Sequence, residues 1–150
     1  MNAILHIGTE KTGTSSIQRY LEQNRDALRE SGYYYPVSIG FEHHQALAAV
    51  CVDIERPDDF YDDDIVGNFE ERMRKNKAIV DGFGSELREL DGHIHTVVIS
   101  SEHFHSRITS ECEINRLASL LRSHFEQITV ICYLREQVAA CTSLYSTALK

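Results

Sequence analysis

Residues 3–16, which read AILHIGTEKTGTSS, hold the pattern that decides the fold. The stretch opens with a short apolar run that ends at Gly8, which predicts a buried β-strand. Thr14, Ser15 and Ser16 then offer N-cap side chains for a helix whose apolar residues recur at helical spacing. A glycine-containing loop between a strand and the start of a helix is the setting in which proteins bind phosphate groups.

The rest of the chain continues this alternation of strands and helices. Apolar residues run continuously along the predicted strands, which indicates a parallel sheet covered by helices on both faces. We therefore expect an α/β fold with three layers, built as one domain over residues 1–150. The loops at the carboxyl ends of its strands should meet at one edge of the sheet and bind the ligand. The predicted elements are strands at 3–7, 33–36, 96–100 and 128–134, helices at 14–30, 43–52, 68–90, 110–124 and 138–150, and ligand-side loops at 8–15, 100–105 and 135–138.

Composition and charge narrow the function classes. The chain has 42% hydrophobic and 25% charged residues, which is typical of a globular domain, and no apolar run long enough to span a membrane. Residues 53–64 hold seven acids and one arginine, so this predicted solvated loop carries most of the net charge of −8. Residues 1–35 are neutral overall, so an anionic ligand fits there. The lack of clustered Lys and Arg argues against nucleic acid as a partner.

The cysteines and the N-terminus bear on the compartment. Cys51, Cys112, Cys132 and Cys141 form no C-x-x-C pair, so we expect reduced, buried thiols. Residues 1–6 lack the basic and long apolar regions of a signal peptide. Both features predict a cytoplasmic protein.

The glycine loop differs from a Walker A motif. Thr14 stands where that motif has lysine after its second glycine, while Lys11 precedes Gly13 by two residues. The segment Lys11-Thr12-Gly13-Thr14-Ser15 resembles the loop with which sulfotransferases bind the 5′-phosphosulfate group of 3′-phosphoadenosine 5′-phosphosulfate. The resemblance implies a P-loop-like fold of the sulfotransferase type. It also implies that this donor is bound by Lys11, Thr12, Gly13, Thr14, Ser15 and Ser16.

A second motif strengthens the resemblance. Arg135 follows the last predicted strand, and Ser143 comes eight residues later in the next helix. Sulfotransferases bind the 3′-phosphate of the donor with an Arg and a Ser at this spacing. An arginine can fork onto a phosphate, and a serine in the second turn of the helix can face the same anion. Gln137 stands where many members have proline, which resembles the branch acting on carbohydrates and capsular polysaccharides.

The resemblance also implies catalytic roles. Lys11 would offset charge on the bridging oxygen between phosphate and sulfate. A general base must take the proton of the acceptor, a hydroxyl or amine of a carbohydrate or another small molecule. Glu102 is our first candidate for this base, and His44 and His43 follow. No metal is required, and the pairs His93/His95 and His103/His105, although they would share a face of a strand, have no cysteine at metal-binding spacing.

Two other functions stay open at this point. One is a P-loop nucleotide kinase or phosphotransferase. The other is a truncated, non-catalytic nucleotide-binding module or one subunit of a homo-oligomer, because the sequence stops at Lys150 inside the helix that carries Ser143. Sulfotransferases usually continue with further helices and a loop that closes over the donor.

Overall fold

A four-stranded parallel sheet forms the centre of the computed structural model, which describes residues 1–61 and 67–149. The central strand β1 pairs with β3 on one side and β4 on the other, and β2 pairs with the far side of β3. The predicted α/β fold with a parallel sheet is therefore confirmed. The strands are β1 (Asn2–His6), β2 (Tyr33–Tyr34), β3 (Thr96–Ser100) and β4 (Gln127–Ile131).

Helices connect the strands at most of the predicted positions. Of the helices in the described part of the chain, none combines the length and apolar character needed to cross a bilayer. The helices are α1 (Thr14–Gln23), α2 (Arg25–Glu30), α3 (Gln45–Ala49), α4 (Phe69–Arg88), α5 (His103–Ser106), α6 (Glu111–Arg122) and α7 (Gln137–Ala148).

The single helix predicted over residues 14–30 is in fact two. Both the backbone amide and the side-chain amide of Asn24 donate to the carbonyl of Tyr20, at 3.1 and 2.7 Å. An asparagine side chain that bonds nearby backbone in this way competes with helix continuation, so α1 ends at Gln23 and α2 begins anew at Arg25. The predicted helix over 43–52 is shorter than expected, and the one-turn helix α5 was not expected.

One face of the sheet packs against α4 and α6. The N-terminus of α6 has the capping box that Ser110 and Glu113 predict: Ser110 Oγ accepts the Glu113 amide and the Glu113 carboxylate accepts the Ser110 amide. This box fixes where α6 begins and so which of its residues face the sheet. The resulting cluster includes Ala3, Leu5, Phe83, Leu87, Val97, Ile99, Leu117 and Leu121.

Strand β4 and helix α7 are more exposed than predicted. Val130 of β4 is 56% exposed and Leu144 of α7 is 44% exposed, so within the described residues the sheet is not covered on both faces along its whole width. The prediction of four buried thiols is also wrong. Only Cys51 of the four cysteines is buried; Cys112 lies on the outer side of α6, Cys132 follows the exposed β4, and Cys141 lies on α7.

The acidic segment is held more firmly than a solvated loop. The carboxylate of Glu113, 1% exposed, accepts the amide of Asp53 at 2.8 Å and pairs with Arg56 at 3.0 Å. The Asp58 carboxylate is also buried and pairs with Arg107 at 3.1 Å. Residues 53–61 form a loop as predicted, and Glu55 and Asp59 are exposed, but the description as solvated is wrong for the buried Asp58. The acids at 62–64 lie outside the described residues.

Arg72 supplies a second anchor for this segment. Its side chain is fully buried, and its guanidinium donates to the carbonyls of Asp53, Ile54 and Arg56 at 3.2, 2.8 and 2.6 Å. The ring of Tyr61 lies 4.7 Å from the guanidinium carbon.

We expect Arg72→Met to lower the free energy of unfolding by about 3 kcal/mol, because three backbone carbonyls lose their donors. Arg74→Met on the same helix is the matched control. Arg74 is 77% exposed and pairs with the neighbouring Glu71, so its loss should cost about 0.5 kcal/mol. Urea denaturation of both variants measures the difference, and equal losses would contradict the anchoring role.

The topology places a ligand crevice between β1 and β3. From β1 the chain passes to β2 at the far edge, and from β3 it crosses to β4 on the other side of β1. Such a reversal leaves a crevice at the carboxyl ends of the two strands, where α/β proteins bind ligands.

Candidate functional site

The loop between β1 and α1 turns on three residues with positive φ: Gly8 at 101°, Lys11 at 61° and Gly13 at 89°. Gly13 is the N-cap of α1, and no side chain caps the helix. Its left-handed conformation strains any residue with a Cβ, which is why glycine is required here. The prediction of a serine or threonine N-cap within residues 14–16 is therefore wrong.

The hydroxyls of this segment point to different places. Thr12 donates to the carbonyl of Thr9 at 2.6 Å and so braces the loop from within. Thr14, the first residue of α1, is buried, and it lines the crevice together with Ser15 and Lys11. Ser16 instead lines a shallow depression along the outer side of α1. Among the predicted donor-binding hydroxyls, Ser15 is thus close to Lys11 and Ser16 faces away.

Gly8 allows the end of β3 to approach the glycine loop closely. A Cβ on Gly8 would lie 3.1 Å from Cα and 3.2 Å from Cβ of Glu102. Glu102 lies two residues after the end of β3, and one oxygen of its carboxylate accepts a 2.7 Å hydrogen bond from the Gln18 side chain on α1. The absence of a side chain at Gly8 and the amide of Gln18 together fix the carboxylate at the crevice.

The electrostatic environment keeps Glu102 ionised. Burial raises the pKa of its carboxyl, but the hydrogen bonds from Gln18 and from its own backbone amide, together with the nearby His103 and His43, lower it by more, so that the pKa lies below the usual 4.5. Glu102 is therefore a carboxylate at neutral pH and can accept a proton.

Two concave regions meet at Lys11 and Gly13. The first, which we call the β3-side pocket, has a volume of about 230 Å³ and is also lined by Glu102 and His103. The second, the β4-side pocket, has a volume of about 320 Å³ and is also lined by Arg135. Lys11 thus borders both pockets, with a carboxylate on one side and a guanidinium on the other.

Backbone pairing ties the β4 end to the glycine loop. The Tyr133 amide donates to the Gly8 carbonyl at 2.8 Å, and the Thr9 amide donates to the Tyr133 carbonyl at 3.1 Å. Beyond these bonds, Arg135 Nη1 donates to the carbonyl of Lys11 at 3.1 Å. The predicted meeting of the first and third ligand-side loops is confirmed.

Ser143, the other predicted phosphate ligand, lies in the second turn of α7, which begins at Gln137. Arg135 is exposed at the mouth of the β4-side pocket, two residues before α7 begins. Both predicted donor-binding residues of the second motif therefore lie on the segment that leaves the ligand edge of the sheet.

The two candidate histidines differ sharply. His44 is fully buried, and its Nδ1 accepts the Ser100 amide at 3.0 Å. Nε2 then carries the proton and donates to the Pro36 carbonyl at 3.1 Å. Burial lowers the pKa of His44 to about 3. Because both ring nitrogens are engaged away from the crevice, His44 holds the backbone in place rather than meeting a ligand.

His43 lies beside the crevice. Its ring centroid is 5.9 Å from that of His103, and both rings are partly exposed. His103 and His105 would share a face only on a strand, and they lie instead on the helix α5, where residues two apart point in different directions. Of these two histidines, His103 lines the β3-side pocket.

Sequence reasoning missed two polar residues that shape the site, His6 and Gln18. His6 is 4% exposed at the end of β1, where its Nδ1 and the Ser100 hydroxyl are 2.7 Å apart and its ring meets the Tyr133 ring edge-on. Burial lowers the pKa of His6. Their positions in the sequence could have revealed both residues. His6 interrupts an apolar strand, and Gln18 lies one turn after Thr14 on the inner face of α1.

The arrangement combines an anion site with a proton acceptor. The N-terminus of α1, Lys11 and Arg135 supply positive potential at one edge of the sheet, and Glu102 lies across Lys11 from Arg135. Within residues 1–61 and 67–149, no group of three or more His, Cys, Asp or Glu side chains is placed to hold a metal ion. Comparison with protein-family models, with curated proteins and with solved structures finds no match to this chain.

Proposed function

We propose that the chain is a sulfotransferase that binds 3′-phosphoadenosine 5′-phosphosulfate and transfers its sulfuryl group to a hydroxyl of a carbohydrate-like acceptor. The observation that carries the proposal is that Lys11 borders both pockets. A transferred group must lie between a donor and an acceptor, and a cation at that point offsets the charge that develops there. The resemblance of residues 11–15 and of Arg135 and Ser143 to sulfotransferase motifs supports the same assignment and a P-loop-like fold.

The β4-side pocket fits the donor nucleotide. Arg135 presents a fork of N–H donors that matches a phosphate, and Ser143 on α7 adds a hydroxyl on the same segment. The 5′-phosphosulfate then lies over the glycine loop at the N-terminus of α1, where helix N-termini favour anions. These interactions need no divalent cation.

The β3-side pocket fits the acceptor. The acceptor oxygen attacks sulfur, the bond between sulfur and the bridging oxygen breaks, and the nucleotide leaves as adenosine 3′,5′-bisphosphate. Glu102 takes the proton of the acceptor hydroxyl, and the Lys11 ammonium stabilises the negative charge on the leaving oxygen. The Gln18 side chain, which donates to the Glu102 carboxylate at 2.7 Å, orients the base.

Calorimetric titration with adenosine 3′,5′-bisphosphate and, separately, with ATP and Mg²⁺ tests the proposal. We expect tight binding of the bisphosphate without metal. Preference for ATP and Mg²⁺ would instead indicate a nucleotide phosphotransferase. Binding of the bisphosphate with no transfer of labelled sulfate to any hydroxyl acceptor would indicate a non-catalytic nucleotide-binding module.

Arg135→Ala should weaken bisphosphate binding by about 10- to 100-fold, because a charge-assisted fork onto the phosphate is lost. Arg122→Ala is the matched control, since Arg122 is exposed in the last turn of α6, which precedes the amino end of β4 and so lies away from the ligand edge. Calorimetry at fixed salt compares the two variants. Equal affinities for both would contradict the placement of the 3′-phosphate at Arg135.

A further inference from the structure

Strand β4 is an open edge of the sheet, since β1 is its one neighbouring strand within residues 1–61 and 67–149. The Tyr133 amide, just beyond β4, donates to the Gly8 carbonyl at 2.8 Å and so points towards β1. The backbone groups of successive residues in an extended chain point to opposite edges. The amides and carbonyls that face outwards are therefore those of Ile128, Val130 and Cys132.

This open edge lacks the usual protection against pairing with another strand. Residues 127–134 read QITVICYL, with no charged residue, proline or glycine. Natural edge strands are commonly protected by lysine, proline or a bulge, because their unpaired backbone groups otherwise bond a further strand. Residues 128–131 are all β-branched, which favours the extended backbone that such pairing needs.

Apolar surface is open on both faces of the sheet beside β4. Val130 is in register with Leu5, so the two side chains share the face that packs against α4 and α6. Leu5 is buried there, whereas Val130 is more than half exposed. On the opposite face a groove of about 270 Å³ lies between α1 and β4, and its lining includes Ile17, Leu21 and Ile131. A strand added beside β4 would extend the sheet and cover Val130.

Helix α7, the next element after β4, adds to this apolar surface. No charged residue occurs in Gln137–Ala148, yet Val138 and Tyr145 are 71% and 67% exposed. A helix without a polar, charged face is normally buried against other protein. The strand edge and the helix that follows it therefore present one continuous stretch of chain suited to an interface.

The charge distribution favours a second copy of this chain as the partner. Residues 127–149 contain one arginine and one glutamate, so they are neutral overall, whereas the chain carries −8. Two copies of an acidic protein repel each other least where such neutral surfaces meet. An uncharged edge cannot select a different strand by its charge, and residues 128–132 can pair with the same residues of another copy in antiparallel order. Closed two-fold contacts of this kind are the commonest in homo-oligomers.

We propose that β4 pairs antiparallel with β4 of a second copy about a two-fold axis at Val130, which joins the two four-stranded sheets into one. Val130 then lies opposite Val130 of the partner subunit, and Ile128 lies opposite Cys132 of the partner subunit. Each outward amide and carbonyl of this stretch bonds its counterpart. The inference does not depend on the proposed function, since it uses the edge of the sheet that the donor and acceptor pockets leave free.

Sedimentation equilibrium of the unmodified chain is the first test, and we expect a dimer at micromolar concentration. Val130→Lys and Val130→Glu should each weaken the dimer by about 100-fold or more, because the axis places the new charge opposite its own copy. An equimolar mixture of the two variants should form the dimer again, because lysine then lies opposite glutamate. This recovery also shows that both variants are folded.

Met73→Lys is the matched control. Met73 is 62% exposed on α4, which leads into β3 and not into β4, so its replacement should leave the dimer intact. A monomer at every concentration of the unmodified chain would overturn the proposal. So would a dimer that persists with either charge at residue 130, or a mixture of the two variants that stays monomeric.

Discussion

Lys11→Ala is expected to lower sulfuryl transfer by about 10²- to 10³-fold while affinity for adenosine 3′,5′-bisphosphate falls far less. The ammonium is placed where charge grows in the transition state, so its loss affects the reaction more than the bound product. Arg135 bonds the backbone carbonyl of Lys11 rather than its side chain, so the replacement leaves that contact in place. Release of the bisphosphate from the labelled donor measures turnover, and calorimetry measures binding.

Matched variants separate this effect from a general loss of charge. Lys77→Ala removes one exposed lysine that pairs with Asp81 on α4, and it should leave both turnover and binding unchanged. Lys11 has a φ of 61°, and alanine at the same position has the same backbone preference, so the substitution adds no strain at this turn. Turnover within threefold of the original chain, or a parallel loss of binding and turnover, would contradict the role of Lys11 at the bridging oxygen.

The sequence predicted those features that neighbouring residues determine. Strand β3 and the capping box of α6 were placed correctly, since a β-branched run and the Ser110–Glu113 pair encode them locally. The meeting of the loops followed from the rule that the carboxyl ends of parallel strands lie at the same edge of the sheet. Lys11 and Arg135 therefore lie at one edge of the sheet because each follows a strand that the sequence predicts.

Features that depend on contacts between distant segments were missed. Cys132 follows an apolar strand, yet it is exposed because β4 is uncovered among the described residues. His43 and His44 are adjacent in the chain, and only the bonds of His44 to Ser100 and Pro36 distinguish the structural ring from the one at the crevice. The acidic segment was predicted to be solvated because the residues that hold it in place, Arg72 among them, lie outside the segment in the sequence.

Glu102→Gln is expected to lower turnover by about 10²- to 10⁴-fold, because a glutamine cannot accept the proton of the acceptor. The side-chain carbonyl of the new residue can still accept the hydrogen bond from Gln18, so the geometry of the crevice is preserved. The control is Glu30→Gln, which removes the same negative charge from an exposed residue of α2 and should leave turnover unaltered. Affinity for the bisphosphate should stay within about threefold in both variants.

The pH profile of the unmodified chain identifies the base independently. Glu102 works only as a carboxylate, and its pKa lies below 4.5, so turnover should persist at neutral pH and fall only as the pH drops through that lowered value. The same ionised form is the one stabilised by folding, because a lowered folded-state pKa favours the folded protein above the unfolded value and loses that contribution on acidification. Circular dichroism over the same range separates loss of turnover from loss of fold. A decline near the ordinary histidine value of 6.5, in protein that is still folded, would assign the proton acceptor to an imidazole instead of Glu102.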